Sequence, residues 1–240
     1  MPWFFAVAER DHDIQNPTSR EKLLQLGGYL RLDPDARVLD VACGKCGPAS
    51  LLAQAYGCRV LGVEKSEEFA AEGRQRVEAA GLSHLVDVVV SDAKDFTLEA
   101  GAFDVALCLG ASFAYGGLEE TLAALVPAVR PGGAVAVGEP YWRRWPLPDG
   151  VDDIDCVALP ETLARFEAAG LALKGIIESS LDDWDRYESL HWRALEEWLA
   201  DNPDDPDADD IRDRHERDRA SYFEIERPLL AWAIFVNRKR

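Results

Sequence analysis

Two acidic residues and two glycines in the stretch 37–66, RVLDVACGKCGPASLLAQAYGCRVLGVEKS, have types and spacing that could hold a ligand. Asp40 lies near the end of one apolar run, and Glu64 ends the next. A carboxylate at Asp40 can bind a cationic amino group, while Glu64 can accept hydrogen bonds from both hydroxyls of a ribose. Gly44 and Gly47 lie between them and allow a tight turn and a close approach to the main chain. The pattern predicts a ligand that carries an ammonium group and a ribose.

The elements that position these residues form a βαβ unit. The run at residues 38–42 is apolar on both faces and predicts a buried parallel strand. Pro48 suits the first turn of a helix over residues 49–56, because its missing N–H costs nothing there. A second strand over residues 59–63 leads to Glu64. In such a unit the ligand binds beyond the carboxyl ends of the strands, beside the turn after the first strand.

Two classes of cofactor compete for this unit. A nicotinamide-dependent oxidoreductase usually has the spacing G-x-G-x-x-G, with an acid about twenty residues later. Here the spacing is G-x-x-G, and Asp40 is an additional acid inside the first strand. The pair Asp40 and Glu64 suits S-adenosylmethionine, which carries an ammonium, a sulfonium and a ribose but no phosphate. The alternatives are an oxidoreductase, a non-catalytic S-adenosylmethionine-binding protein, and a βαβ unit without a ligand.

The stretch resembles the glycine-rich motif of class I S-adenosylmethionine-dependent methyltransferases, with Cys43 and Cys46 where that family often has glycine or a small residue. The R-P-G-G run at 130–133, before a hydrophobic strand, is also similar to this family. The resemblance implies S-adenosylmethionine as cofactor and S-adenosylhomocysteine as product, with Asp92 bonded to the adenine amino group. The implied cofactor contacts are Asp40, Ala42, Gly44, Gly47, Glu64, Lys65, Ser66, Asp92, Ala93, Leu109 and Gly110.

Further motifs extend the resemblance along the chain. They are H-x-x-x-N-P at 12–17, E-P-Y-W-R at 139–143, W-D-R-Y at 184–187 and W-L-x-x-N-P-D at 198–204. With them the chain is similar to a small group of bacterial class I methyltransferases. The wider relatives of that group act on quinone precursors, sterols, fatty acyl chains and amines, which implies a small-molecule acceptor.

The predicted fold is α/β, a Rossmann-like methyltransferase sheet of seven strands with the last strand antiparallel and helices on both faces. A helical insertion is expected between strands six and seven, and residues 134–138 are expected to form strand five. We expect a single domain over residues 1–240. Its parts are an N-terminal cap at 1–33, with residues 1–16 irregular, a core at 37–180, a helical lid at 181–227 and the last strand at 228–240.

Methyl transfer needs mainly alignment of the reactants and exclusion of water, so a dedicated base is optional. Where the acceptor loses a proton, Glu139 is the first candidate to take it, followed by Tyr115 and His12. Aromatic side chains after strand five and in the insertion helix are expected to wall a substrate pocket; alternatively they only pack the helix on the domain. They are Tyr141, Trp142, Trp184 and Tyr187.

The charge balance opposes some partners. With 44 acidic against 26 basic residues and a net charge of -18, binding to nucleic acid or to an anionic membrane is unfavourable. The E-P-Y-W run resembles the acid or amide, proline, aromatic box of methyltransferases that act on amino groups of nucleic acids. That box follows the fourth strand of the sheet, whereas this run follows strand five, which argues against a nucleic-acid base as acceptor. Neither a signal peptide nor a membrane span is visible. We expect a cytoplasmic protein, monomeric or homodimeric.

Cysteine and histidine residues predict no metal site. The five cysteines are odd in number, and free thiols in a reducing compartment are the simplest interpretation. Cys43 and Cys46 form a C-x-x-C, but neither a second such pair nor a nearby histidine completes a zinc site. The four histidines are scattered at His12, His84, His191 and His215.

Overall fold

The computed structural model describes residues 2–149, 151 and 156–240; Met1, Gly150 and residues 152–155 of the predicted segments lie outside them. Seven strands form one sheet: β1 Arg37–Val41, β2 Arg59–Glu64, β3 Val86–Val90, β4 Phe103–Leu109, β5 Val129–Trp142, β6 Leu171–Glu178 and β7 Leu230–Lys239. Their order is β3-β2-β1-β4-β5-β7-β6, and β7 is antiparallel to both of its neighbours. This order and the antiparallel last strand confirm the predicted fold.

Helices cover both faces of the sheet. They are α1 Pro2–Ala8, α2 Arg20–Leu30, α3 Gly47–Tyr56, α4 Glu67–Ala79, α5 Leu118–Ala128, α6 Leu159–Ala168, α7 Leu181–Asp201, α8 Ala208–Ser221 and α9 Arg227–Leu229. Serine hydroxyls cap three of them, because an N-cap hydroxyl satisfies a free N–H of the first turn: Ser19 caps α2, Ser66 caps α4, and Ser180 forms a capping box with Asp183 in α7. Within the described residues no helix is both long and apolar enough to span a membrane.

The alternation of residues along each strand decides which side of the sheet a polar group reaches. Val38 packs in a cluster with side chains of α2, α3 and α4, whereas Leu39 and Val137 pack with α5 and α6. Successive strand residues point to opposite faces. Asp40 therefore lies on the α2–α4 side and Glu139 on the α5–α6 side.

The carboxyl edge of the sheet has a switch in strand order beside β1. β1 pairs with β2 on one side and with β4 on the other, so the crossovers from these strands run to opposite sides. In open α/β sheets a ligand binds in the crevice at this point. The inserted segment with α7 and α8 follows β6. It begins at the same edge of the sheet, because β6 runs parallel to β5, with β7 between them. The fold thus brings the glycine turn and α7 to one end of the sheet.

Two segments differ from the sequence prediction. Residues 1–16 were expected to be irregular, but α1 is a helix whose Phe4 and Ala8 pack against Leu195 and Ile211. Its partner surface lies in α7 and α8, far along the chain, so local periodicity does not reveal it. β5 is also longer than expected, since it pairs with β7 as far as Trp142.

Candidate functional site

The first functional side chain is the carboxylate of Asp40 near the end of β1. It is only 2% exposed, and its Oδ2 has no hydrogen-bond partner among the described residues. Burial, together with the negative charge of Glu64, raises the pKa of Asp40 to about 7. A buried carboxylate without a partner is costly unless a cation compensates it. Asp40 is therefore placed to bind a cationic group at the carboxyl edge of the sheet.

Glu64 ends β2 and is held by the backbone. Its Oε2 accepts a hydrogen bond from Gly44 N–H at 2.9 Å, and its Oε1 accepts one from Ser66 N–H at 2.8 Å. Each carboxylate oxygen can accept a second bond. Glu64 is thus fixed in orientation while it keeps acceptor capacity for a pair of hydroxyl groups.

The turn between β1 and α3 adopts an uncommon backbone. Ala42, Gly44 and Cys46 have φ of 54°, 55° and 56°. Two of these three are not glycine, and left-handed conformations of other residues are costly. Such strain persists only where the surroundings fix it, and it is enriched at ligand sites. The two cysteines that stand in this turn pack inwards, with their sulfur atoms 3.7 Å apart.

An N-terminal segment, residues 9–19, crosses this turn. Gln15 Oε1 accepts the N–H of Lys45 at 2.8 Å, and Asn16 Nδ2 donates to the carbonyl of Leu109 at 3.3 Å. A Cβ on Gly44 would lie 2.0 Å from Gln15 Oε1, and one on Gly47 would lie 1.7 Å from the carbonyl oxygen of Asp13. Gly47 is therefore required by the close passage of the N-terminal backbone, whereas Gly44 is favoured by its left-handed φ of 55° and by the Gln15 side chain.

The buried side chain of Lys45 also connects the glycine turn to the N-terminal segment. Its side chain is 1% exposed, and Nζ donates to the carbonyls of Glu9 at 3.0 Å and Arg10 at 3.2 Å. Glu72 of α4 supplies the neutralising carboxylate at 2.8 Å. A buried lysine needs such partners to keep its charge. The glycine turn, α4 and the N-terminal segment are joined at this one ammonium group.

The ends of β3 and β4 complete the edge. Lys65 Nζ contacts Asp92 Oδ2 at 2.7 Å, and this hydrogen bond lowers the pKa of Asp92. Ala93 is buried after β3, while Leu109 and Gly110 end β4, with the Gly110 N–H donating to Gly138 at 3.0 Å. The residues expected to contact a cofactor therefore lie at the carboxyl ends of four adjacent strands, β3, β2, β1 and β4.

Glu139 and Tyr115 lie on the α5–α6 side of the sheet. Glu139 is 8% exposed, and no described group bonds its Oε1. Burial raises its pKa to about 7, although a hydrogen bond from Ser112 opposes the shift. Burial also raises the pKa of the half-buried Tyr115 to about 12. Of these two, only Glu139 can exchange a proton readily near neutral pH.

His12 lies apart from both, against α7. Its Nε2 is 2.9 Å from the carbonyl oxygen of Tyr187, and its ring centroid is 4.8 Å from that of Tyr187 and 4.4 Å from that of His191. The Tyr187 hydroxyl donates to Glu9 Oε1 at 3.1 Å. The structure thus groups His12 with α7 rather than with Glu139.

The remaining aromatic residues are divided among three places. Tyr141 packs against Phe235 inside the α5–α6 side, and Trp142 lies in a cluster near the start of β7. Trp184 is buried against Tyr222, with ring centroids 6.3 Å apart. Tyr187 contacts the N-terminal segment through the hydrogen bond from its hydroxyl to Glu9. The four aromatic side chains do not form one wall in the described structure.

Several residues of the site carry no obvious sequence signal. Gln15 and Asn16 belong to the N-P start motif, but their contacts with the glycine turn and β4 depend on a distant part of the chain. Glu9 and His191 are 182 residues apart, yet their side chains are 2.9 Å apart. For Lys45 the only sequence signal is its place between Gly44 and Gly47, which does not reveal that its side chain is buried.

The close passage of the N-terminal segment predicts the effect of Gly47→Ala. The new Cβ meets the carbonyl oxygen of Asp13, which is backbone and cannot rotate away. We expect a loss of about 1 to 3 kcal/mol in the free energy of unfolding and faster tryptic cleavage of the N-terminal segment. Gly28→Ala in α2 is the matched control, because nothing lies closer than 3.9 Å there; it should stabilise by about 0.5 to 1 kcal/mol. Equal effects of the two changes would contradict the role of the passage.

The unpartnered carboxylate predicts that Asp40→Asn stabilises the ligand-free protein. The pKa of Asp40 is about 7 in the folded protein, against about 3.9 for a free aspartic acid, so the ionised carboxylate costs stability progressively as pH rises from about 4 and fully above about 7. At pH 8 we expect the variant to gain on the order of 1 to 3 kcal/mol in free energy of unfolding, with a smaller gain at pH 5. Urea denaturation at both pH values measures this.

Asp104→Asn is the control, for which we expect the opposite change in the free energy of unfolding. Burial disfavours ionised Asp104, but the Arg130 guanidinium and the N–H of Arg37 outweigh this effect and lower its pKa. Removing its charge should therefore destabilise the protein at pH 8. Destabilisation by Asp40→Asn would show that the Asp40 carboxylate has a partner.

Comparisons with known proteins agree with this geometry. A family described as "Methyltransferase domain" matches residues 38–133, from β1 to the turn inside β5. The protein YjhP of Escherichia coli is 31% identical, over 98% of both chains. Crystal structures of S-adenosylmethionine-dependent methyltransferases of Thiobacillus denitrificans and Geobacter sulfurreducens, both in complex with S-adenosylhomocysteine, are 33% and 34% identical. They cover 100% of this chain and 99% of their own, with TM-scores of 0.92 and 0.93.

These relatives match the chain over its whole length, including the N-terminal segment and the helical insertion. Two of them are in complex with S-adenosylhomocysteine. This is the product of S-adenosylmethionine, the cofactor that Asp40 and Glu64 predict. The chain therefore belongs to the class I S-adenosylmethionine-dependent methyltransferases, with S-adenosylmethionine as its cofactor.

Proposed function

We propose that the chain transfers the methyl group of S-adenosylmethionine to a small-molecule acceptor. The observation that carries this proposal is the roof formed by the N-terminal segment and α7 over the carboxyl edge of the sheet. Ser179 and Arg186 donate hydrogen bonds to the carbonyls of Pro17 and Thr18, and Asn16 donates to Leu109. An edge covered in this way leaves room for a small molecule rather than for a folded macromolecule, and the net charge of -18 disfavours nucleic acid.

The residues at the edge fit this cofactor. The unpartnered Oδ2 of Asp40 suits its ammonium group, and the backbone-held carboxylate of Glu64 suits the ribose hydroxyls. Asp92, whose Oδ1 already accepts the N–H of Lys94 at 3.0 Å, is proposed to bind the adenine amino group. Ala42, Gly44, Gly47, Lys65, Ser66, Ala93, Leu109 and Gly110 are proposed as the remaining contacts.

The bound cofactor supplies a methyl group activated by a sulfonium. The chain has to align the acceptor and exclude water. Where the acceptor is a hydroxyl or an ammonium group, Glu139 is the proposed base, because its pKa of about 7 suits proton uptake near neutral pH. Tyr115 and His12 are weaker candidates: the pKa of Tyr115 is about 12, and His12 is committed to contacts with α7.

A cleft of about 450 Å³ lies on the outer side of the roof, and Asp13, whose carbonyl meets the glycine turn, lies in its wall. Its lining contains none of the proposed cofactor contacts or candidate bases, so it does not indicate the size of the acceptor. Acidic side chains dominate the lining, which consists of Asp11, Asp13, Ile14, Ser19, Arg20, Glu21, Asp182, Asp183, Arg186 and Leu190. Trp184 and Tyr187 lie on α7 itself, and the Tyr187 hydroxyl donates to Glu9 of the N-terminal segment. Tyr141, Trp142, Trp184 and Tyr187 remain proposed acceptor contacts on sequence grounds.

The test is methyl transfer from labelled S-adenosylmethionine to defined acceptors. We expect label in a small amine, phenol or carboxylate and none in protein or nucleic acid fractions. Glu139→Gln should lower kcat for an acceptor that loses a proton by about 100- to 10,000-fold. Glu167→Gln, on the exposed end of α6 at 72% exposure, should leave kcat unchanged. Label in nucleic acid, or equal rates for the two variants, would contradict the proposal.

The pKa of Asp40 predicts the pH dependence of cofactor binding. Below pH 7 the ligand-free protein holds a proton on Asp40, which must leave before the carboxylate can pair with an ammonium group. The Kd for S-adenosylhomocysteine should therefore rise about tenfold per pH unit below about 7 and level off above it. Isothermal titration calorimetry between pH 5.5 and 8.5 measures this.

Asp40→Asn should weaken binding at pH 8 and remove this pH dependence, whereas Asp104→Asn should retain it, since Asp104 pairs with Arg130 away from the turn. A Kd for the wild type that stays constant across the range would show that Asp40 does not bind the ammonium group.

A further inference from the structure

A buried cluster of ligating side chains joins the N-terminal segment to α7. Its members are Glu9, His12 and His191, and their ligating atoms all lie within 4.8 Å of one another. Glu9 is 7% exposed and His12 is 1% exposed, while the side chain of His191 is 17% exposed. Neither the fold nor the proposed methyl transfer requires these residue types at this place.

Hydrogen bonding fixes which nitrogen of His12 carries the proton. Its Nε2 is 2.9 Å from the carbonyl oxygen of Tyr187, and a carbonyl can only accept. Neutral His12 therefore carries its proton on Nε2 and presents the lone pair of Nδ1. That lone pair faces Glu9 Oε2 at 3.4 Å, and neither atom has a hydrogen-bond partner among the described residues. Two acceptors thus face each other inside the protein.

The second histidine has a similar arrangement. His191 presents Nε2 to Glu9 Oε1 at 2.9 Å, while its Nδ1 lies 3.6 Å from Glu188 Oε2. In metal sites each histidine ligand is commonly oriented by a carbonyl or carboxylate on its other nitrogen. Here Tyr187 O and Glu188 stand in those two places.

We propose that Glu9, His12 and His191 bind one divalent transition-metal ion of the Zn²⁺ type. Two imidazole nitrogens and a carboxylate are a ligand set that such ions accept, with bonds of about 2.0 to 2.2 Å. Donor atoms on one ion then lie about 3 to 3.5 Å apart. The Glu9–His12 separation of 3.4 Å is within this range and the Glu9–His191 separation of 2.9 Å is just below it, while the whole set lies within 4.8 Å and contracts when the ion binds. The cation also compensates the buried carboxylate of Glu9 and the partly buried carboxylate of Glu188.

A proton offers a competing explanation. Although burial lowers it, hydrogen bonds with Glu188 and Glu9 raise the pKa of His191 to about 9, so a charged His191 could pair with Glu9. This leaves the opposed lone pairs of His12 Nδ1 and Glu9 Oε2 unexplained. Protonation of His12 as well would put two positively charged imidazole rings side by side, with their centroids 4.4 Å apart. A cation among all three side chains explains both contacts.

The ion has a defined structural consequence. Glu9 binds it through the carboxylate and accepts the Lys45 ammonium through its carbonyl at 3.0 Å. The same residue therefore contacts the glycine turn and the metal site. His191 lies on α7, so the ion fastens the N-terminal segment to α7 directly above the cofactor turn.

The experiment is a metal titration of the full chain without an affinity tag, after removal of metals with EDTA and in the absence of S-adenosylmethionine. We expect one equivalent of Zn²⁺ with a Kd of about 1 μM or lower and a higher Tm with the ion. His191→Gln should weaken binding by at least about 100-fold, and Glu188→Gln, which keeps all three ligands, by about 10- to 100-fold. Because no cofactor is present, failure here is independent of methyl transfer.

The matched control is His215→Gln. His215 is also buried and contacts a glutamate, Glu196, at 3.1 Å, but it has no third ligand nearby among the described residues. This variant should bind Zn²⁺ as tightly as the wild type. Equal losses in His191→Gln and His215→Gln, or no uptake by the wild type, would overturn the proposal.

Co²⁺ as a second probe separates this site from the cysteine pair. Nitrogen and oxygen ligands give ligand-field absorption in the visible range without the near-ultraviolet charge-transfer band of a thiolate–Co²⁺ bond. A thiolate band would place the metal at Cys43 and Cys46, whose sulfur atoms are 3.7 Å apart, and would also overturn the proposal. Visible bands that persist in the wild type and disappear in His191→Gln support it even where His12→Gln does not fold.

Discussion

The constraint on which the rest of the structure depends is a carboxylate without a partner inside the end of β1. Asp40 is buried, its Oδ2 has no hydrogen bond within the described structure, and the negative Glu64 lies nearby. A fold selected for stability alone would replace it, because an apolar or paired residue costs less there. The acid is understandable as a group whose partner is a cationic ligand. The strand order places it at the switch point, where ligands bind in open α/β sheets.

The turn that follows Asp40 is assembled from two distant parts of the chain. Its backbone bends through left-handed conformations at Ala42, Gly44 and Cys46, and the N-terminal segment holds it there. The Gln15 side chain accepts a hydrogen bond from the backbone of the turn, and the Lys45 side chain of the turn donates one to the carbonyl of Glu9 in that segment. The glycines at this turn are thus explained by main-chain crowding as much as by the approach of a cofactor. A strained loop fixed from both sides loses little freedom when a ligand binds, which preserves affinity.

The sequence predicts the parts of this arrangement that depend on local pattern. The βαβ unit, the seven strands and the helical insertion follow from runs of apolar residues between turn residues, and the structure confirms them. The faces that Asp40 and Glu139 occupy are known from the structure, because the clusters around their neighbours Val38 and Val137 decide them. Contacts between remote segments cannot be predicted from local pattern. The helix α1 is stabilised by α7 and α8, and His12 and His191, far apart in the sequence, have ring centroids 4.4 Å apart.

A short chain of contacts therefore connects the cofactor turn with the acceptor side. Lys45 in the turn binds the carbonyl of Glu9, and the Glu9 carboxylate contacts Tyr187 and His191 on α7. Without the α7 contacts the Glu9 carboxylate would stay buried with fewer partners, which is costly. Glu9 therefore links the position of α7 to that of the glycine turn.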